Sequence, residues 1–405
     1  MRRINPSPVL RQPVIINDIV FSIHPFRLLL PAGNPALSQI FLSAAMIVRN
    51  EERFLEGCLE SIKDAVDEIV VVDTGSADGT KEIAARYGAK VFDFPWCDDF
   101  SAARNVSVEH CLGEWILFID ADERLGPVDK ALVRADLSRP GYNAFTVSYR
   151  PLTGFTSFRE YRIFRNDPRI RFEGIIHETV VPSVKRAGEE DGLSIGDSAL
   201  EIYHIGYDGD MRRKHERNLP LLRRHVENLP ENIFLRFKLG VVLKALGDTE
   251  GAEREWRRAI ESVRRRKDNL IPRDSQPYYD LMRLLLEKGE DITPLLQEAE
   301  ALFPGNYLIM WVRAMVLMHG GAYEEAAGIF GRLTSIDPDN LEPERISYDR
   351  RIFGEFSYEP MGTCYFKLGR LEASGRCYSL ALERDPENPE YRTKHKLISA
   401  LLKKS

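Results

Sequence analysis

The sequence lacks several features that would assign it to a specialised class of protein. Its five cysteines are scattered over 405 residues and none forms the C-x-x-C spacing of a zinc or redox site, so we expect reduced thiols. No apolar run reaches membrane-spanning length, and Pro6, Pro8 and Arg11 interrupt the region where a signal peptide needs an apolar core. The sequence therefore predicts a cytoplasmic location, with peripheral contact at the inner membrane face as the alternative.

An excess of basic residues is also missing. The formal net charge of -6 gives no global attraction to the phosphates of nucleic acid, so we expect no nucleic-acid partner. A hydrophobic content of 43% and a charged content of 29% are ordinary for a folded protein. A chain of 405 residues is long enough for two domains.

The part of the chain that follows residue 40 alternates apolar runs with amphipathic stretches. Predicted strands cover residues 42–48, 68–72, 90–92 and 115–119, and predicted helices cover residues 51–63, 78–87 and 100–110. This alternation is typical of β-α-β units, so we expect an α/β fold with a mainly parallel sheet. Later strands with wide loops are predicted at residues 144–150, 158–165 and 200–203.

The last part of the chain, from residue 211, contains an internal repeat. One spacing recurs in two copies, through Gly240, Leu243, Gly247, Ala252, Trp256 and Ala259 and through Gly362, Tyr365, Gly369, Ser374, Tyr378 and Ala381. A third copy runs from residue 314 to 333, and residues 278–303 form a degenerate unit. Small residues let paired helices approach while the aromatic residue fills the groove, a pattern that resembles the tetratricopeptide repeat.

Polar residues follow three of the predicted strands. The first strand is followed by R-N-E-E, the second by D-T-G-S and the fourth by D-A-D-E. Ligands of open α/β sheets bind outside the carboxyl ends of the strands, so one crevice could gather all three segments.

Asp120 and Asp122 follow the apolar strand W-I-L-F-I, so their carboxylates should emerge together at the edge of the sheet. Two hard oxygen ligands suit Mg²⁺ or Mn²⁺, which would bridge to a diphosphate. A strand-end turn with a helix-capping aspartate is the alternative, because a D-x-D string alone is a weak signal.

Several linked strings occur together in this sequence. They are A-M-I-V-R-N-E-E-R-F-L-E-G-C-L-E-S-I, E-I-V-V-V-D-T-G-S-A-D-G-T, F-P-W-C-D-D-F-S-A-A-R-N, G-E-W-I-L-F-I-D-A-D-E and G-I-I-H-E. In order and spacing, residues 43–205 resemble the family 2 glycosyltransferases. Within that family they are most similar to bacteriocin peptide S-glycosyltransferases and lipopolysaccharide core glucosyltransferases. The resemblance implies a GT-A nucleotide-sugar-binding sheet.

The resemblance also implies a set of donor-binding residues. Asp73 would accept a hydrogen bond from the nucleotide base, although it could instead be a turn residue before Gly75. Arg104 would pair with the diphosphate, and as a lone arginine it could instead be a surface charge. Asp99 would contact the donor or anchor its loop. The full predicted donor set is Val48, Arg49, Asn50, Glu52, Asp73, Asp99, Arg104, Asp120 and Ala121.

The G-I-I-H-E segment supplies the candidates for the catalytic base. Glu178 is preferred and His177 is its rival, because an imidazole already titrates near neutral pH whereas a carboxylate needs its pKa raised by partial burial. A structural ion pair between Glu178 and Arg171 or Arg162 is the alternative.

The I-Y-H-I-G-Y segment ends the last predicted strand and adds a third candidate metal ligand. Glycosyltransferases of this fold sometimes place a histidine there, so His204 is predicted to join Asp120 and Asp122, with a structural role as the alternative. A mixed Asp/His site favours Mn²⁺ over Mg²⁺.

The sequence as a whole predicts three parts: residues 1–40, an extension without an assigned role; residues 41–210, a catalytic domain; and residues 211–405, a repeat domain. We expect an inverting hexosyltransferase that uses a UDP-sugar and a peptide, protein or glycan acceptor, with a homodimer through the repeats as a further partner. A lipopolysaccharide or envelope-polysaccharide transferase is one alternative. A repeat scaffold with a vestigial nucleotide-sugar domain is the other.

Overall fold

A computed structural model describes residues 40–403 of this chain, apart from residues 153, 207–210 and 342–345. The predicted N-terminal extension lies outside the described residues, except for Ile40. The strands are β1 (Leu42–Val48), β2 (Glu68–Asp73), β3 (Lys90–Asp93), β4 (Trp115–Phe118), β5 (Glu123–Leu125), β6 (Tyr142–Pro151), β7 (Phe158–Arg165) and β8 (Ser194–His204).

The strands form one mixed sheet in the order β3-β2-β1-β4-β7-β6-β8-β5. The first four strands are parallel, as predicted. Beyond β4 the sheet is mixed, because β6 and β8 are parallel whereas β7 runs antiparallel to both β4 and β6. The short connection between β6 and β7 explains why these two strands are antiparallel, since a parallel pair needs a long crossover connection.

The parallel half of the sheet is covered on both faces. Alternate residues of β1 point to opposite sides, so that Ala44 and Met46 join one apolar cluster and Ala45 joins the other. Five helices belong to this part of the chain: α1 (Leu55–Ile62), α2 (Thr80–Arg86), α3 (Phe100–Glu109), α4 (Lys130–Leu137) and α5 (Val181–Asp191). The first three match predicted helices, whereas α4, α5 and the short strand β5 were not predicted.

The rest of the described chain is helical. Its helices are α6 (Met211–Asn228), α7 (Ile233–Ala245), α8 (Thr249–Arg265), α9 (Gln276–Glu287), α10 (Thr293–Leu302), α11 (Tyr307–His319), α12 (Tyr323–Thr334), α13 (Glu355–Lys367), α14 (Leu371–Arg384) and α15 (Pro389–Leu402). A Cβ atom added at Gly240 would lie 2.3 Å from Nε1 of Trp256, and one at Gly362 would lie 3.0 Å from Cε1 of Tyr378. This close approach within the pairs α7/α8 and α13/α14 is the one that the repeat pattern predicted.

Contacts between the sheet and the helices include an apolar one and a hydrogen-bonded one. Ile176, which follows β7, belongs to the same apolar cluster as Leu222 and Val226 of α6. In the loop between β6 and β7, Thr156 donates its backbone N–H to the carbonyl of Tyr348, and Tyr348 donates its own to Oγ1 of Thr156. Within the described part of the chain, no helix combines the length and the apolar character needed to cross a lipid bilayer.

Candidate functional site

The carboxyl ends of β1, β2 and β4 meet at one edge of the sheet. Val48 is paired with Asp73 across β1 and β2, and Ala45 is paired with Phe118 across β1 and β4. Asp120 follows Phe118 by two residues, so it lies beside the end of β1 on the side opposite Asp73. Neighbouring strands are about 4.8 Å apart, which puts the two aspartate backbones roughly 10 Å from each other.

The side chain of Asp73 is buried, and its two oxygens have different environments. Oδ2 accepts hydrogen bonds from the backbone N–H groups of Gly75 (3.0 Å) and Ser76 (2.9 Å), which hold the turn. Oδ1 is buried and has no hydrogen-bond partner among the described residues. Desolvation opposes ionisation, but the hydrogen bonds from Ser76 and Gly75 outweigh it and lower the pKa of Asp73. A carboxylate oxygen is therefore available to a donor at this edge.

The segment after β1 is bonded to the segment after β2. Asn50, with φ 57°, accepts a bond at Oδ1 from Ala77 N, and Glu52 accepts one at Oε2 from Gly79 N. Val48 is buried, whereas Arg49 is exposed. Of the predicted donor-binding residues in this segment, Asn50 and Glu52 thus use their side chains to fix the segment after β1 to the segment after β2.

The predicted metal ligands lie around the turn after β4. Nε2 of His204, at the end of β8, is 3.2 Å from Oδ2 of Asp122. This hydrogen bond raises the pKa of His204. Asp120 instead points its Oδ1 at Nη2 of Arg104, 2.9 Å away. No three His, Cys, Asp or Glu side chains of the described residues are arranged as a complete metal cluster.

Negative charge is concentrated beside this turn. The pKa of Glu51 is raised to about 7, first by desolvation and then by the nearby carboxylates of Asp122, Asp120 and Asp78. A carboxylate whose pKa is raised by neighbouring carboxylates lies in a negative potential that a bound cation would relieve. The donor set of Asp122, His204 and Asp120 therefore fits a divalent metal in its chemistry.

Arg104 of α3 is buried and connects two of the predicted site residues. Its Nε donates to Oε1 of Glu178 at 2.5 Å, and its Nη2 donates to Asp120. The guanidinium also lies against the rings of Phe118 and Phe172, 5.3 and 5.5 Å from their centroids. Both carboxylates keep Arg104 protonated, so a fixed cation stands beside Asp120.

The two candidates for the catalytic base point in different directions. Glu178 pairs with Arg104 rather than with Arg171 or Arg162, so the partners named for the alternative ion pair were wrong. Its Oε2 accepts no hydrogen bond from the described residues. His177, with φ 54°, packs its ring edge-on against Phe234 of α7, 5.6 Å between centroids. His177 therefore faces the helices, and Glu178 faces the strand ends.

A buried network behind Asp120 was not predicted. Glu123 accepts hydrogen bonds at Oε1 from Arg162 Nη2 (2.7 Å) and Tyr149 Oη (2.8 Å), and at Oε2 from the backbone N–H of Asp120 (2.9 Å). Arg162 also lies 3.9 Å from Oδ2 of Asp120. The network fixes the turn that carries Asp120. The only sequence signal for it was the position of Glu123, directly after the D-A-D string.

The remaining predicted residues have structural contacts. Asp99 caps α3 by accepting a bond from Ala102 N, which is the anchoring role of its two predicted alternatives. Ala121 is buried, and its carbonyl accepts a bond from Arg124. Asn105, which the predicted donor set did not include, exchanges hydrogen bonds with the backbone of Phe172, because α3 turns this side chain towards the segment after β7.

Comparisons with known proteins agree with both parts of the fold. Residues 43–180 match the model of "Glycosyl transferase family 2", and residues 357–388 match a tetratricopeptide repeat. A TPR repeat-containing protein of Synechococcus elongatus is 38% identical over 56% of this chain and 58% of its own length. The SPbeta prophage-derived glycosyltransferase SunS of Bacillus subtilis is 28% identical over 68% of this chain and 67% of its own length.

Among solved structures, the glucosyl-3-phosphoglycerate synthase of Mycobacterium tuberculosis aligns with a TM-score of 0.35 and 18% identity, over 51% of this chain and 80% of that one. Of the Synechococcus elongatus protein, the first of its curated relatives, the chain spans little more than half the length.

Proposed function

We propose that this chain, which carries a family 2 glycosyltransferase domain at residues 43–180 and tetratricopeptide repeat helices after it, is a metal-dependent inverting hexosyltransferase. The donor would be a UDP-sugar and the acceptor a peptide or protein. The observation that carries the proposal is the gathering of Asp73, Asp120, Asp122 and His204 at one edge of the sheet.

The nucleotide would bind across the end of β1. The buried and unpaired Oδ1 of Asp73 suits the imide N–H of uracil, because a buried acceptor without a partner is costly and gains from a donor. Val48, Arg49 and Asn50 line the same edge, and Arg104 would face the diphosphate. The roughly 10 Å between Asp73 and Asp120 leaves room for the ribose between base and diphosphate.

The metal would be held by Asp120, Asp122 and His204. A divalent cation there would act as a Lewis acid that neutralises the departing nucleoside diphosphate. The raised pKa of Glu51 supports this assignment, because it shows that the carboxylates of Glu51, Asp120 and Asp122 lie close together. The nitrogen ligand favours Mn²⁺.

Glu178 would act on the acceptor. Its Oε1 is held by Arg104, which fixes the carboxylate, and its second oxygen would take the proton from the acceptor nucleophile as that atom attacks the anomeric carbon. As the bond between this carbon and the diphosphate breaks, the diphosphate leaves from the face opposite the attack, so the anomeric configuration inverts. Arg104 remains beside Asp120 to stabilise the negative charge of the leaving group.

The test is a panel of nucleotide sugars screened for slow hydrolysis with Mn²⁺ or with a chelator. We expect hydrolysis of UDP-sugars in the presence of Mn²⁺, its loss in chelator, and its loss in the variant Asp122→Ala. A panel in which no nucleotide sugar is hydrolysed, in Mn²⁺ or in Mg²⁺, would contradict the proposal.

A further inference from the structure

A second recess lies next to the candidate site, between the sheet and the repeat helices. The side chains of His177, Lys238, Arg273 and Asp280 keep solvent-accessible surface although protein atoms surround them on most sides. Side chains with both properties line a recess of the surface, which is called the cleft below. The cleft is bordered by α7 and α9 on one side and by the strand β7 on the other, where Glu160 lies within electrostatic range of Lys238 and Arg273.

Three cations of this cleft lie on aromatic rings. Lys238 is 5.3 Å from the centroid of Phe234, and Arg273 lies over the same ring at 4.8 Å. Arg283, on α9, lies 5.3 Å from the centroid of Tyr279 and 6.0 Å from that of Trp311. The cations thus form a row that begins beside His177 and continues along α9 towards α11.

The row of cations is not neutralised by the protein. Lys238, Arg273 and Arg283 make no salt bridge with any described residue, although most arginines elsewhere in the described chain do. Asp280 lies among them and makes no salt bridge within the described chain, whereas Glu160 at the border of the cleft is paired with Arg162. Desolvation by the surrounding protein lowers the pKa of Lys238 and raises that of Asp280 to about 6. The cleft therefore has an excess of desolvated positive charge.

Tyr279 adds an unpaired polar group to the row. Its side chain is 6% exposed, and its hydroxyl has no hydrogen-bond partner among the described residues. Buried hydroxyls are normally paired, and an unpaired one costs free energy that a ligand could recover. Cations on aromatic faces and an available hydroxyl together suit a ligand that carries carboxylates along an extended chain.

We propose that this cleft binds an acidic, extended segment of the peptide acceptor, with Lys238, Arg273 and Arg283 pairing with its carboxylates. This inference rests on the proposed function, since it assigns the acceptor side of the same reaction. His177 lies between the cleft and the candidate functional site, because it contacts Phe234 of α7 and directly precedes Glu178. A segment held in the cleft would present a neighbouring residue to Glu178.

The experiment measures binding of fluorescein-labelled model peptides by fluorescence anisotropy, with the full chain, Mn²⁺ and UDP. The probes are a Glu/Gly peptide, a Ser/Gly peptide and a Lys/Gly peptide of equal length. We expect the Glu/Gly peptide to bind roughly tenfold or more tightly than the other two, since partners of opposite charge attract and like charges repel. Equal binding of the three peptides would overturn the inference.

Variants locate the binding. Arg283→Gln is expected to weaken binding of the Glu/Gly peptide roughly tenfold or more. Arg332→Gln removes an exposed charge from α12 and should change the affinity for this peptide less than about twofold. Arg283→Lys retains the charge, and Lys238→Gln gives an independent second position should Arg283→Gln not fold. Equal losses in Arg283→Gln and Arg332→Gln would overturn the inference.

Further outcomes separate this inference from the proposed function. If wild-type protein hydrolyses UDP-sugars but shows no preference for acidic peptides, the inference fails and the transferase stands. If hydrolysis is absent while Glu/Gly peptide binds through Arg283, the proposed reaction fails and the cleft assignment stands as a peptide site. Binding to phosphatidylglycerol vesicles through Arg283, without binding of the Glu/Gly peptide, would overturn the peptide assignment.

Discussion

The guanidinium of Arg104 is bonded to the carboxylate of Glu178, with Nε 2.5 Å from Oε1, across 74 residues of sequence. The same guanidinium reaches Asp120 through Nη2 at 2.9 Å. One buried cation therefore joins the candidate base to the candidate metal turn.

Substitution of Arg104 is predicted to affect both stability and turnover. Arg104→Ala leaves the carboxylates of Glu178 and Asp120 partly buried without their partner, so the free energy of unfolding should fall by about 3 kcal/mol. Hydrolysis of the UDP-sugar should fall by roughly 10²-fold or more, because a fixed charge beside the diphosphate is lost. Urea unfolding and a hydrolysis assay measure the two effects. Unchanged stability and turnover would contradict the ion-pair account.

Removal of His204 is predicted to weaken metal binding. Asp122 would lose its neighbour, and the site would lose a nitrogen ligand, so half-saturation with Mn²⁺ should need a concentration about tenfold or more higher. Mn²⁺ binding can be followed by electron paramagnetic resonance of the free ion. His319→Ala, which removes an exposed histidine of α11, is the matched control. Equal Mn²⁺ affinities of the two variants would remove His204 from the ligand set.

Stability is predicted to fall with rising pH because of Glu51. Its pKa is about 7 in the folded chain and 4.5 for an ordinary glutamate, so the folded state holds the proton more tightly between these values. The unfolding free energy contributed by this group therefore decreases as pH rises from about 4.5 to above 7. Glu51→Gln should flatten the profile, as measured by urea unfolding across this range. The exposed control Glu82→Gln should keep the wild-type slope, and a Glu51→Gln slope equal to it would contradict the prediction.

Gly174 is predicted to tolerate no side chain. Its φ is +103°, and a Cβ atom would lie 2.5 Å from Cε1 of His225 on α6. Gly174→Ala should lower the free energy of unfolding by roughly 2 kcal/mol or more, through backbone strain together with displacement of α6. Gly305→Ala is the control, because Gly305 has φ +78° but open space around its Cβ position. Thermal unfolding that is equal in both variants would show that the contact with His225 has no energetic effect.

Much of the sheet was predictable from sequence because its strands are short apolar runs with sharp boundaries. β1, an apolar run, was predicted to the residue. β7 was also predicted to the residue, although its sequence, FREYRIFR, is rich in charged residues. α4 and α5 were missed because their apolar positions are few, with Val133 and Leu137 the buried residues of α4. The antiparallel pairing of β7 with β4 and β6 was not predicted, because strand direction depends on connections rather than on periodicity.

The candidate site was predictable in its motifs but not in its contacts. The D-A-D turn and the G-I-I-H-E segment are local strings. The pairing of Arg104 with Glu178 joins distant parts of the chain, and no periodicity encodes it. The role of Glu123 was hidden for the same reason, since its partners Arg162 and Tyr149 come from β7 and β6. The orientation of His177 towards Phe234 depends on its positive φ, which the sequence did not indicate.

In the proposed function, Asp73 binds the base of one nucleotide and Asp122 binds the metal of the same nucleotide. Titration calorimetry of UDP, with and without Mn²⁺, tests this directly in wild-type protein and in the variants Asp73→Asn and Asp122→Ala. We predict that UDP binds the wild-type protein in Mn²⁺, that binding weakens at least about tenfold without the metal, and that each variant weakens it to a similar extent. UDP binding that is absent in the wild-type protein, or that is equal in all three proteins and independent of Mn²⁺, would contradict the account.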